Sequence, residues 1–153
     1  MSEKLPSETC SLIGILGPAT YTTSGFSTGS DLGRIDVSGF QSVMATFAIG
    51  AWTTAGTIDA KLMECATSNG TYTSISGKAI TQMTEAATSA NHQAIINLDL
   101  AEMTAGYKWL GVHAPIVAGV CAVVMVHAFE PRYKDAVITT AYNDLSTVDE
   151  IIT

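Results

Sequence analysis

Val120-Cys121-Ala122-Val123-Val124-Met125-Val126-His127-Ala128-Phe129 is the stretch on which the fold turns. Four valines give it the β-branched character that suits a pleated strand. In an extended chain successive side chains point to opposite faces, so Val120, Ala122, Val124 and Val126 line one side. Cys121, Val123, Met125 and His127 line the other. Both sides are apolar, which places such a strand in the middle of a sandwich or under a neighbouring subunit. Gly119 bounds it in front and Pro131 behind.

Working outward, Tyr107 to Ile116 alternates in the same way, with Tyr107, Trp109 and Gly111 opposite Lys108, Leu110 and Val112. Ala94-Ile95-Ile96-Asn97-Leu98 reads as a further strand, and Asp99 to Ala105 as a helical turn with Asp99 as its cap. Ile58, Ala60 and Leu62 against Asp59 and Lys61 give the clearest alternation of a strand with one wet face. Val43 to Ile49, between the Ser38-Gly39 turn and Gly50, reads as a buried strand. Ser68-Asn69-Gly70 marks a tight turn before a short pairing segment around Tyr72, Thr73 and Ile75. From Lys78 to Asn91 the apolar spacing is helix-like, but four Ser and Thr residues weaken a helix there, so one or two turns or an irregular loop are expected.

Short strands at regular spacing, separated by Gly and Asn turns, predict an all-β domain: an antiparallel β-sandwich or jelly-roll-like fold with helix a minor component. Residues 1–36, rich in Ser, Thr and Gly, read as an extended N-terminal arm. Residues 37–133 form the β-sandwich domain. Residues 134–153 read as a C-terminal arm, acidic but carrying Val137, Ile138, Tyr142, Leu145 and Val148, hence too apolar for a purely solvated tail. An arm that becomes ordered on a partner fits that composition.

Charged residues make up 14% of the chain and hydrophobic ones 47%. Freely dissolved domains are usually about a quarter charged, so this surface is short of charge and is expected to lie against something. A net charge of −7 without a Lys/Arg stripe argues against nucleic acid as a partner. The N-terminus lacks the apolar core of an export signal, and no apolar run is long enough to cross a bilayer, so the chain is expected to stay in a cytoplasm, with no membrane partner. Asn69-Gly70-Thr71 matches a glycosylation sequon and, without secretion, reads as a turn.

No residue pattern in the chain points to catalytic, cofactor-binding or metal-binding residues. Cys10, Cys65 and Cys121 are far apart and read as small buried hydrophobes in a reducing compartment. His92, His113 and His127 fall in different elements, although His113 and His127 have the possibility of meeting across adjacent strands. Gly25 to Ser30 looks like a phosphate loop but lacks the lysine and the following helix. Asp59 with Glu64, and Asp99 with Glu102, are the conceivable carboxylate pairs, and neither has an aromatic cleft. Trp52, Tyr72, Tyr107 and Trp109 are the residues a glycan-binding sandwich would use; Trp109 and Tyr107 read better as sheet core, and Trp52, just past a strand, as a contact residue or interface anchor.

The run from Gly39 to Tyr133 resembles the capsid decoration, or cement, proteins of tailed phages. The resemblance is carried by Gly39-Phe40-Gln41-Ser42-Val43 leading to Ile49-Gly50-Ala51-Trp52-Thr53, then Lys61-Leu62-Met63-Glu64-Cys65 and Gly70-Thr71-Tyr72-Thr73. It continues through Gly106-Tyr107-Lys108-Trp109-Leu110-Gly111-Val112 and a last strand that runs into Pro131-Arg132-Tyr133. What the resemblance implies is a non-enzymatic virion protein without cofactors, assembled in the host cytoplasm. Such a protein sits as a homotrimer on the capsid exterior, where it binds the major capsid protein and bridges neighbouring subunits. A charge-poor domain with arms suits such a clamp, since arms spread contact over several neighbours. Trp52, Tyr133, Val137, Ile138 and Tyr142 are the expected assembly contacts. The competing readings are a tail or head-fibre component and a glycan-binding β-sandwich module.

Overall fold

The computed structural model describes residues 9–21, 34–86 and 91–131. The chain is nearly all β. Its strands are β1 (Cys10–Tyr21), β2 (Ile35–Asp36), β3 (Ser42–Trp52), β4 (Thr57–Ile58), β5 (Lys61–Cys65) and β6 (Thr73–Ala79). They continue with β7 (Met83–Thr84), β8 (His92–Asp99), β9 (Trp109–His113), β10 (Ile116–Val117) and β11 (Val120–Phe129). The one helical element among the described residues is a 3₁₀ turn, Leu100–Glu102.

Every pairing is antiparallel. One four-stranded sheet has the order β1-β11-β3-β8, a second has β2-β9-β5-β6, and a three-stranded ribbon has β10-β4-β7. The strand that decided the sequence reading is central, held by β1 on one side and β3 on the other. Its even-numbered residues are buried from Val120 to Ala128, and the odd-numbered ones are half-buried. In β3 the same alternation buries Val43, Ala45, Phe47 and Ile49. These residues share one continuous core with Leu62, Leu110 and Val112 of the second sheet and Ile58 and Ile116 of the ribbon. The result is a sandwich-like domain.

Three local readings change in the folded chain. Residues 10–21, assigned to the N-terminal arm, form β1, and Ile35–Asp36 forms β2, so the β domain begins well before residue 37. The Gly-, Ser- and Thr-rich composition hid β1 because it is an edge strand with two irregularities. One lies between Leu12 and Gly14; the other lies between Leu16 and Ala19, where Pro18 has no N–H to offer a ladder. Ile13 is nevertheless 2% exposed, as deep as the core of β3.

The second change concerns Ile58, Ala60 and Leu62, which are all buried as expected but do not share a strand. Ile58 belongs to the ribbon and Leu62 to the second sheet, the chain crossing between them at Asp59 and Ala60. There the Asp59 N–H donates to the Pro115 carbonyl and the Ile80 N–H to that of Ala60. Third, the stretch from Lys78 carries strand at both Lys78–Ala79 and Met83–Thr84, with Ile80 and Met83 packed on the core.

The turn readings at Asp99 and Gly70 match the structure. The Asp99 carboxylate accepts from the Ala101 N–H at 2.9 Å, and Glu102 accepts from the Asp99 N–H at 3.0 Å, a capping box that ends β8. Gly70 closes the turn after β5, its N–H donating to the Thr67 carbonyl. A Cβ there would lie 2.5 Å from the Cys65 sulfur, so only glycine fits. The C-terminal arm, residues 134–153, lies outside the described residues.

If β1 is part of the core, Ile13→Ala should lower the unfolding free energy by about 2–4 kcal/mol in urea titration. A cost below about 0.5 kcal/mol, the range of ordinary surface substitutions, would mean that residues 10–21 behave as a dispensable arm.

Candidate interaction surface

The carboxylates singled out in the sequence are all used by the fold. Glu64 is buried, 6% exposed, and accepts from the Thr104 N–H at 2.8 Å and the Thr104 hydroxyl at 2.5 Å, which ties the turn after β8 to β5. Asp59 accepts from the Gln82 amide at 2.7 Å. Glu102 pairs with Lys78 at 2.6 Å, and that ammonium, followed by the Asp99 N–H, holds its carboxyl below the ordinary glutamate value. Lys78 also donates to the Asn97 carbonyl, laying a charge along the outer edge of β8, a common way to blunt strand addition.

The histidines do not converge. His113 lies in the second sheet opposite Lys61, whereas His127 lies in the first between Leu12 and Met44, so the two are not on adjacent strands. Among the described residues no group of three or more His, Cys, Asp or Glu is placed to hold a metal ion. The Gly25–Ser30 loop lies outside the described residues.

The aromatic residues are dispersed and occupied. The Tyr72 hydroxyl accepts from the Arg34 N–H at 2.7 Å and donates to the Ser68 carbonyl. Lys108 sits 5.8 Å from the centre of the Trp109 ring. Tyr107 packs on the core and helps to line a hollow of about 200 Å³ together with Val37, Ser38 and Met103. Trp52, the one expected contact residue within the described chain, ends β3 at a corner built by Thr53 and Gly119. The Thr53 N–H and hydroxyl reach the Gly119 carbonyl at 2.7 and 3.0 Å, and the Gly119 N–H returns to that hydroxyl at 2.6 Å. The indole is half-buried against the core, over Gly56, where a Cβ would come within 3.0 Å of the ring. Its N–H is buried without a hydrogen-bond partner. Val117, paired with Thr57 in the ribbon, is 63% exposed. Tyr133, Val137, Ile138 and Tyr142 lie outside the described residues.

Only the folded chain assembles a surface. Because β1, β11, β3 and β8 lie side by side in a known register, their residues turned away from the core form one continuous face. Its central row runs Ile15, Met125, Thr46, Ile95 across all four strands. Flanking rows carry Leu12, His127, Met44 and Asn97 on one side, and Val123, Ala48 and Gln93 on the other. Ile15 and Ile95 are 38% and 50% exposed. Asp99, at one corner, is the only Asp, Glu, Lys or Arg among the described residues of these strands, and its carboxylate is taken by the cap. Beside the row, the small side of β3 at Ala48 and Gly50 leaves a hollow of about 420 Å³ walled by Gln93, Cys121 and Val123. The signal was present in the sequence as the two apolar sides of Val120–Phe129, but the register of three partner strands was needed to turn it into an area.

His127 reports how dry this face is. Burial alone holds its imidazole below the ordinary value of 6.5, and Nδ1 has no hydrogen-bond partner. Its cross-strand neighbours, Leu12 and Met44, carry no charge.

No protein-family model, curated protein or solved structure matches this chain.

The neutral imidazole favoured in the fold takes up a proton less readily than in the unfolded chain. The His127 contribution should therefore be complete above its unfolded value and fall as the pH drops through about 6.5. His127→Leu, compared with wild type by urea titration from pH 7.5 to 5, should remove this part of the acid sensitivity without loss of stability at pH 7.5. Parallel pH profiles for the two proteins would refute the assignment.

Proposed function

We propose that this chain is a structural virion protein that binds the outer surface of a phage capsid and stabilises it by bridging major capsid subunits. The observation that carries the reading is the four-stranded sheet face just described, which turns Ile15, Val123, Met125 and Ile95 outward and, among the described residues, carries no charged side chain but the capped Asp99, in a protein of net charge −7. Contiguous apolar area of this kind on a folded domain marks an interaction site. The described acids named as catalytic candidates are committed to caps, loop ties and ion pairs, which favours an assembly role over catalysis. The resemblance of residues 39–133 to capsid decoration proteins supplies the kind of assembly.

On this reading the protein is made in the host cytoplasm and ends on the capsid exterior. Trp52, the exposed Val117 of the ribbon, and Tyr133, Val137, Ile138 and Tyr142 of the C-terminal segment supply contacts to the major capsid protein.

The test is co-sedimentation of the purified protein with expanded capsids that lack it. Saturable binding at a fixed copy number per capsid, with a higher temperature of capsid rupture, is the expected result. Trp52→Ala should weaken binding roughly 10-fold or more, the loss typical of an aromatic anchor. A protein that stays in the supernatant at every concentration, or that pellets at a few copies per particle as a tail or fibre part would, overturns the proposal.

A further inference from the structure

We infer that the outer face of the β1-β11-β3-β8 sheet is the contact between two copies of this chain, stacked sheet on sheet. Its charge argues first for a second copy. Two molecules of net charge −7 repel each other, and this face, whose only carboxylate among the described residues sits at a corner inside a hydrogen-bonded cap, lets them approach with the least like-charge opposition.

Size agrees. Four strands about 4.8 Å apart and ten residues rising about 3.4 Å each give an area of roughly 600 Å² per copy, at the lower bound of stable interfaces. Relief agrees as well. The row Ile15, Met125, Thr46, Ile95, with Ile15 and Ile95 exposed, runs beside the hollow at Ala48 and Gly50, so one face offers both exposed side chains and a recess to receive them. A two-fold contact needs that self-complementarity within a single patch. Within the domain the two sheets already share one continuous apolar core, and the outer face offers a further sheet surface of the kind that packs face to face at about 10 Å.

The pairing accounts for the same sheet face that supports the capsid reading and leaves the capsid contacts to Trp52, Val117 and the C-terminal segment; it is tested without any capsid, so the two failures are distinguishable. Sedimentation equilibrium of the full chain should give twice the chain mass at micromolar concentration. Thr46→Lys and Met125→Lys, each placing two like charges against one another across the face, should weaken association by at least about 100-fold. Both variants should keep the circular dichroism spectrum of wild type. If either misfolds, Ile95→Lys on the half-exposed edge strand takes its place and should also yield monomer. A full-length protein that is monomeric, as it would be if its own termini covered the face, overturns the inference. So does an oligomer, including the trimer implied by the resemblance, whose mass the folded lysine variants leave unchanged.

Discussion

The pairing of β11 with β3 is the constraint on which the remaining structure depends. Eight residue pairs from Ala122–Ile49 to Phe129–Ser42 lock two apolar strands in one register, and a ninth, Val120–Trp52, follows beyond an irregularity. Because side chains alternate with a period of two, that register sends Val43, Ala45, Phe47 and Ile49 to the same side as Ala122, Val124, Val126 and Ala128. A slip of one residue would put Phe47 in water. The core then recruits β5, β9 and the ribbon against it, and the two outer strands take the places left at either edge. The same lock that makes one side dry also decides what the other side must be. Met44, Thr46, Ala48, Val123 and Met125 face outward because their neighbours face in.

Strands were legible in the sequence where alternation was strong, as in Val120–Phe129 and Val43–Ile49, and so was the capped turn at Asp99, whose chemistry is local. Legibility failed where pairing partners are far away in sequence. Ile58 and Leu62 sit on one period-2 pattern, yet the hydrogen bonds that send them to different sheets come from Pro115, Ile80, Thr84 and Val112. No window around residue 60 contains those partners. β1 failed for a different reason. An edge strand interrupted by two irregularities keeps no continuous period, and Gly14, Gly17 and Pro18 lower its apparent strand propensity, while its burial is earned by Ile13 at the bulge. The candidate surface was half legible: both apolar sides of β11 were visible, but its width across four strands was not.

The acids show why a search for motifs had little to find. Glu64, Asp59, Asp99 and Glu102 each sit where an N–H, amide, hydroxyl or ammonium group needs an acceptor. In a chain with few charges, the fold spends these on its own loops, and the broad face of the first sheet is left to uncharged side chains. The lack of charge noted in the sequence is therefore not spread evenly. It is concentrated on one side of one sheet.

His127 and Trp52 bear on whether that uneven distribution has a purpose. Each carries a buried ring nitrogen without a hydrogen-bond partner. An orphaned polar group costs roughly 1–3 kcal/mol, which a leucine or methionine at the same place would avoid. Trp52 stands at the corner where Thr53 and Gly119 exchange three hydrogen bonds, beside Ala118 and Ala55 in left-handed conformations that L residues adopt at a cost. His127 stands in the middle of β11, among Leu12 and Met44. His127 lies on the side of the sheet away from Phe47, whereas Trp52, opposite the buried Val120 beyond an irregularity in the ladder, packs its ring against the core. At His127 the orphaned nitrogen belongs to a side chain on the outer face of the sheet, so what selects an imidazole there over a leucine acts from outside the core.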